Sequence, residues 1–352
     1  MRKILITGGA GFIGSHIAEH YARKGDDVIV LDNLSRAILL GSEERFAHFN
    51  WNFLQAAYPG IRLIRADVRD AAEVKRCAEG VDIIVHCAGQ TAVTTSMLDP
   101  RTDFECNTVG TINVLEAARE SANKPALVFC STNKVYGENV NTIKVAEHEL
   151  RYCFADRAYA RGIPETLPLN NCRHTPYGCS KLAADVYSQD YGHYYNFKTG
   201  VFRLSCIYGD RQFGLEDQGW VAHFAITSVL GRPITIYGDG KQVRDILHVA
   251  DVVEAFDRFI EADMGSDVFN LGGGTHNSVS LLELIDLLER ILGKKLQLVF
   301  KPERPSDQKV YISDVSKAHE MLNWQPSIDL ADGVGRLVKW VVDNRHLFRP
   351  HD

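Results

Sequence analysis

The first thirty residues change their hydrophobic period twice. Ile4-Leu5-Ile6 is an unbroken apolar run, and 7–14 is rich in glycine. Ile13, Ile17, Ala18 and Tyr21 then share one helical face, and Val28-Ile29-Val30-Leu31 is apolar again before Asp32. The pattern predicts strand, turn, helix and strand. Apolar runs recur at 61–66, 81–86, 126–130 and 198–204, separated by helical stretches, as in buried parallel strands joined by crossover helices. Helices are expected over 42–58, 99–121, 176–196, 219–230 and 249–262, and a strand at 234–237 runs into a turn. Ser280 and Glu283 form a capping box ahead of Leu281, Leu284, Ile285, Leu288 and Leu292, with Gly293 as the stop. No strand pattern stands out over 137–176, a span far beyond the usual connection of about 4–6 residues, so a lid or substrate loop is expected there.

These elements give an α/β fold: a Rossmann-type doubly wound parallel sheet with a smaller C-terminal α/β substrate-binding domain. The expected division is 1–200, joined by a returning helix at about 241–263, and 201–352, whose own parts are about 204–240 and 264–345. The opening turn, Thr7-Gly8-Gly9-Ala10-Gly11-Phe12-Ile13-Gly14, has the spacing of a dinucleotide site. Gly8 allows a tight turn, Gly11 a close pyrophosphate, and Gly14 close packing of the helix. The backbone N–H groups at Phe12 and Ile13 face the phosphates. Asp32, with Asn33 beside it, closes the second strand where a carboxylate accepts from a ribose and repels a 2′-phosphate. NAD is therefore favoured over NADP, although Arg36 lies nearby. Asp67 and Val68, at the end of the third strand, are expected at the adenine; Ala88, Gln90 and Asn107 are expected as cofactor walls.

Charge and cysteine usage narrow the partners. The chain has 352 residues and a net charge of −6, so no basic field invites nucleic acid, and no apolar run reaches the ~20 residues of a membrane span. A first strand starting at Lys3 leaves no space for a signal peptide, and a cytoplasmic location is expected. Among eight cysteines there is no CxxC pair, and Cys87, Cys106, Cys130 and Cys206 lie in or beside apolar runs, as reduced core thiols do. His16 and His20 stand four apart without a third ligand nearby, so no metal is expected.

The chemistry is expected from Thr132, at the end of the fifth strand, and from Tyr177 and Lys181, four apart at the start of a helix. That spacing puts the ammonium on the tyrosine's face, where it favours a phenolate and makes Tyr177 a general base, with Thr132 sharing the substrate hydroxyl. With the glycine turn, these residues resemble the extended short-chain dehydrogenase/reductase family of nucleotide-sugar epimerases and dehydratases. Val243-Arg244-Asp245-Ile246-Leu247-His248-Val249 and Arg304-Pro305-Ser306-Asp307 carry the same resemblance.

The resemblance implies a tightly bound NAD and a nucleotide-diphosphate sugar as substrate. It implies that Arg244 and Arg304 grip the diphosphate, that Asp307 holds a ribose, and that Thr94, Asn133, Lys134 and Arg211 also meet the substrate. Dehydratases of the family follow the threonine with an Asp-Glu pair; here Asn133 and Lys134 take those positions, and neither supplies that acid or base. Epimerisation remains. The motifs Gln90-Thr91-Ala92-Val93-Thr94-Thr95-Ser96 and Arg211-Gln212-Phe213-Gly214 resemble those of the family's 2-epimerases, and that resemblance implies a CDP-hexose inverted at C2, with a UDP-hexose 4-epimerase as the alternative and a non-catalytic NAD binder below both. A homodimer or homotetramer is expected.

Overall fold

The computed structural model describes residues 1–36, 44–304 and 307–348. Ser42 and Glu43 of the helix expected at 42–58, and Pro305 and Ser306 of the last motif, lie outside the described residues; the helix is seen as Glu44–Ala57.

Seven strands make the main sheet: β1 (Lys3–Thr7), β2 (Asp27–Asp32), β3 (Arg62–Arg65), β4 (Ile83–His86), β5 (Ala126–Thr132), β6 (Thr199–Leu204) and β7 (Asp267–Leu271). Their order is β7-β6-β5-β4-β1-β2-β3, and β1 to β6 pair in parallel. Thr7 at the end of β1 is in register with Leu31 on one side and His86 on the other. The strand order therefore reverses at β1, and the carboxyl ends meeting there form the crevice where ligands of doubly wound sheets bind. Leu5, Ile29, Leu31, Ile84, Leu127 and Phe129 pack with Val114, Leu115 and Ala118 of the helix Gly110–Glu120. Each of the larger side chains contributes about 1.5–3 kcal/mol by leaving water, which makes this sheet a rigid platform for the loops at its end.

The chain forms two compact units. The first comprises Met1–Val135, His174–Leu204 and Val253–Phe269; the second comprises Tyr136–Arg173, Ser205–Val252 and Asn270–Asp352. The expected division kept 136–173 with 1–200, whereas its contacts lie in the second unit. Ile163 N–H donates to Ile312 O at 2.7 Å, Asn270 Nδ2 donates to Ile163 O at 2.8 Å, and Tyr152 N–H donates to Lys241 O at 2.9 Å. Likewise only Val253–Phe269, rather than the whole of 241–263, returns to the first unit.

The span expected to lack strands contains a small antiparallel hairpin, Val145–Glu147 with Tyr152–Phe154. At three residues each, its strands are too short to show an alternation. In the second unit, Val243–His248 is the central strand, parallel to Cys206–Tyr208 and Val310–Tyr311 and antiparallel to Ser278–Ser280. The capping box at Ser280 and Glu283 forms, and Gly293 closes that helix in the left-handed region with φ 64°.

The stretch expected as one helix over 99–121 has three parts. Asp99 caps a short helix Pro100–Phe104, a π-helical turn follows at Glu105–Val109, and Gly110–Glu120 continues as α-helix. Single π turns of this kind often mark functional positions, and this one carries Asn107. A further short helix, Val93–Leu98, precedes it. No helix among the described residues is long and apolar enough to cross a membrane.

Candidate active site

Between β1 and the helix Phe12–Arg23 the chain turns too tightly for side chains. Gly8 has φ 69°, and a Cβ there would lie 2.5 Å from Ala88 N; a Cβ on Gly14 would lie 2.3 Å from Gly8 O. The close approach at Gly14 is thus to the turn itself. Gly11 is the N-cap and offers no side-chain hydrogen bond, so the first N–H groups of the helix remain for an anion. Asp32 accepts from Ala10 N at 3.0 Å and Leu34 N at 2.8 Å. Burial raises its carboxyl above the ordinary value, and these N–H donors pull in the opposite direction. A carboxylate has about four acceptor positions, so Asp32 retains capacity for a ribose while tying the turn to β2. These residues fit a dinucleotide with a free 2′-hydroxyl.

We expect Asp32→Ala to weaken NAD binding about tenfold or more, the scale of a charged hydrogen bond worth about 1.5–3 kcal/mol. NAD content after purification and calorimetric affinity measure this. Unchanged affinity would remove Asp32 from the ribose site.

The other expected cofactor residues divide. Asp67 accepts from Asn33 Nδ2 at 2.7 Å and pairs with Arg69, which holds its carboxyl low, at about 2. Val68 is buried and its carbonyl accepts from Asn113 Nδ2 at 2.9 Å. Ala88 borders the turn at Gly8. The side chains of Gln90 and Asn107 are engaged within the protein: Gln90 Nε2 donates to Asp103 Oδ1 at 2.8 Å, and Asn107 Nδ2 donates to the same oxygen at 3.1 Å.

Thr132 ends β5, and Tyr177 stands in the first turn of the helix Pro176–Tyr194. Pro176 at the helix start and the Thr175 side chain, accepting from Gly178 N, specify where that helix begins. Ser96 Oγ accepts from Tyr177 N at 3.1 Å, which the strand and helix patterns did not reveal. Further along, Ser131 Oγ donates to Asp185 at 2.5 Å, and Arg203 of β6 pairs with Asp185 at 3.0 Å, both side chains almost wholly buried. The helix is thereby fastened to β5 and β6.

The Thr132 side chain lies close enough to the Tyr177 phenol to draw its proton affinity down. Lys181 lies on the same helix face but donates from Nζ to Cys130 O at 2.6 Å and sits 4.3 Å from the centre of the Phe129 ring. Burial lowers its ammonium to about 8. Tyr177 is pushed up to about 12, chiefly by burial, with Thr132 opposing. Sequence spacing predicts that Lys181 lowers the phenol; in this structure burial dominates, because the ammonium is directed at a backbone carbonyl. Asn133 is buried in the same loop, with its Oδ1 3.4 Å from Thr132 Oγ1. Lys134 and Thr94 are half-buried.

Within the second unit, Arg244 donates from Nη2 to Asp307 Oδ1 at 2.6 Å and from Nη1 to Gln308 O at 2.6 Å. The guanidinium of Arg304 lies 3.8 Å from the centre of the Tyr237 ring and pairs with Asp217 at 2.9 Å. Arg211 is nearly buried, with φ 61°. A cleft of about 800 Å³ is lined by Asn139, Asn141, Thr142, Arg173, Arg304 and Asp307. Two of the expected substrate residues, Arg304 and Asp307, thus border one cavity together with residues of the 136–173 segment.

A doubly wound sheet whose paired tyrosine and lysine ride the helix between β5 and β6 is the arrangement of a short-chain dehydrogenase/reductase. Residues 4–272 match the NAD dependent epimerase/dehydratase family, and the chain belongs to that family. It is 39% identical to CDP-paratose 2-epimerase of Salmonella typhi, over 96% of this chain and 98% of the relative. It is 32% identical to a putative UDP-glucose 4-epimerase of Methanocaldococcus jannaschii, over 97% and 99%. Among solved structures, UDP-glucose 4-epimerase of Thermotoga maritima with UDP-glucose is 30% identical, with a TM-score of 0.79 covering 99% of this chain and 100% of that one. The Thermus thermophilus UDP-glucose 4-epimerase complex with NAD is 31% identical, with a TM-score of 0.75 covering 96% and 98%. The cofactor is NAD, and the activity is that of an NAD-dependent nucleotide-sugar epimerase.

Proposed function

We propose that this chain is a 2-epimerase of CDP-paratose and CDP-tyvelose. The observation that carries the reading is the 39% identity to CDP-paratose 2-epimerase over nearly the full length of both chains, against 32% for the UDP-glucose relative. Asn133 and Lys134 support it by excluding the acid and base of a dehydratase.

NAD, when bound, accepts a hydride from the sugar carbon and later returns it. Tyr177 Oη takes the hydroxyl proton as the keto sugar forms and gives it back afterwards, with Thr132 Oγ1 holding the same oxygen. Such acid and base help is worth roughly 10²–10⁴-fold. Lys181 supplies positive charge behind the phenol. Arg244 and Arg304 hold the diphosphate, since guanidinium forks match phosphate oxygens in pairs, and Asp307 accepts from the ribose. To do so, Arg244 exchanges its bond to Asp307 for the diphosphate. NAD stays bound through purification, because the hydride must return to the sugar it left. Exposed Met97, Leu98, Phe104, Val186 and Tyr187 supply apolar surface for a homodimer or homotetramer.

The test is incubation with CDP-, UDP- and GDP-hexoses, with NMR detection of epimers. Inversion at C2 of the CDP sugar is expected. Inversion at C4 of a UDP-hexose would establish the second reading, favoured by the Thermotoga maritima structure. No turnover of any sugar would indicate an NAD-binding protein without catalysis.

A further inference from the structure

The steps above leave one buried carboxylate unused. Asp103, on the short helix Pro100–Phe104, is only 1% exposed. Its Oδ2 accepts from Ser180 Oγ at 2.5 Å, and its Oδ1 accepts from Gln90 Nε2 at 2.8 Å and Asn107 Nδ2 at 3.1 Å. The cluster is closed. Asn107 Nδ2 is also 3.0 Å from Ser180 Oγ, and Gln90 N–H donates to Asn107 Oδ1 at 2.8 Å. Ser180 stands between Tyr177 and Lys181 in sequence, with its hydroxyl 3.1 Å from Tyr177 O. The π-helical turn at Glu105–Val109 carries Asn107 of this cluster.

A charged group so deeply buried is costly unless it is hydrogen-bonded and balanced. Three hydrogen bonds meet the first condition; burial raises the Asp103 carboxyl above its ordinary value, and the bonds from Ser180 and Gln90 together with the charge of Lys181 pull it back down. The other carboxylate facing Lys181, Asp185, is engaged by Arg203 through two hydrogen bonds at 3.0 and 3.1 Å.

We propose that Asp103 is a positioning residue for the epimerisation: through Ser180 it fixes the helical turn bearing Tyr177 and Lys181, and its negative charge is the counter-charge for the Lys181 ammonium. The proposal rests on the roles given to Tyr177 and Lys181 above. The titratable groups whose charge acts on Lys181 are Asp103, Asp185, Cys87 and Cys130, and Lys181 in turn acts on His86; those acting on Tyr177 are Asp103 and Cys130, with Thr132 beside them. Burial lowers the ammonium, and Cys130, Cys87, Asp185 and, least of the four, Asp103 each draw it up again. The charge of Asp103 also raises the phenol. Removing it therefore lowers both proton affinities, so both limbs of the pH profile move to lower pH.

The experiment compares pH profiles of kcat for the NAD-loaded enzyme and its Asp103→Asn and Ser180→Ala variants. Asp103→Asn should lower the maximum and shift both limbs by about one pH unit toward acid, the lower end of the effect of a nearby charge. Ser180→Ala keeps the charge and loses the clamp, so its maximum should fall with the limbs in place. Asp103→Ser is the second neutral variant, used if Asn does not fold. Tyrosinate absorbance of NAD-loaded enzyme without sugar, taken as the difference from Tyr177→Phe, should titrate at lower pH in the neutral variants. A folded Asp103 variant with unmoved limbs and unmoved tyrosinate titration overturns the proposal. Since the absorbance needs no substrate, it tests Asp103 even if the sugar assignment fails.

Discussion

Tyr177→Phe is expected to fold, to keep its NAD and to lose turnover by about 10²–10⁴-fold. The ring stays in place because the clamp at its backbone, Ser96 Oγ on Tyr177 N, does not involve the phenol. What disappears is the oxygen that carries the proton in both directions. Thr132 keeps its place at the end of β5, but a threonine hydroxyl is too weak a base to replace the phenol. The burial that pushes Tyr177 up to about 12 makes the free phenol a poor base at neutral pH, so wild-type activity should rise with pH as the phenol ionises. That rise should be absent from the residual activity of Tyr177→Phe. Near-normal kcat in the variant, with bound NAD confirmed, would move the proton to another group.

Gly14→Ala should give a protein that has lost most of its NAD. The added Cβ would lie 2.3 Å from Gly8 O and 2.8 Å from Gly9 Cα, and both are backbone atoms that have to move. They belong to the turn that presents the helix start to the pyrophosphate. Gly8 is confined on its other side, where Ala88 N is 2.5 Å from the position of a Cβ. Shifting the turn therefore misaligns the phosphate donors or strains the link to β4. Nucleotide released on acid denaturation, counted per chain, should fall well below one, and activity should depend on added NAD. Stoichiometric NAD in the variant would show that this turn is not the pyrophosphate site.

Strands β1 to β6 and the glycine turn were legible in sequence because both follow from local patterns: unbroken apolar runs such as Ile4-Leu5-Ile6, and glycines at fixed spacing; β7, Asp267–Leu271, was not read as a strand. Tyr177 and Lys181 were legible as a helical pair for the same reason. What Lys181 touches was not, since its partner is the Cys130 carbonyl, and a backbone acceptor leaves no mark on residue type. Gln90 and Asn107 were read as walls of the cofactor site; the structure joins their side chains to Asp103, a residue that in sequence is one polar position on a helix. The π turn at Glu105–Val109 was hidden because it interrupts no polar or apolar period. The 136–173 segment shows the limit most plainly, because its attachments join residues far apart in the chain, such as the hydrogen bond from Asn270 to Ile163 and the packing of Tyr152 with Val243, Val310 and Ile312.

The most direct measurement follows a deuterium placed at C2 of the CDP sugar. A hydride removed from C2 and returned to C2 never meets solvent, so the epimer formed in ordinary water should retain its label at C2. Release of the label to water would mean that C2 is deprotonated and reprotonated at carbon, and would contradict both the hydride route and the role of Tyr177 as carrier of the hydroxyl proton.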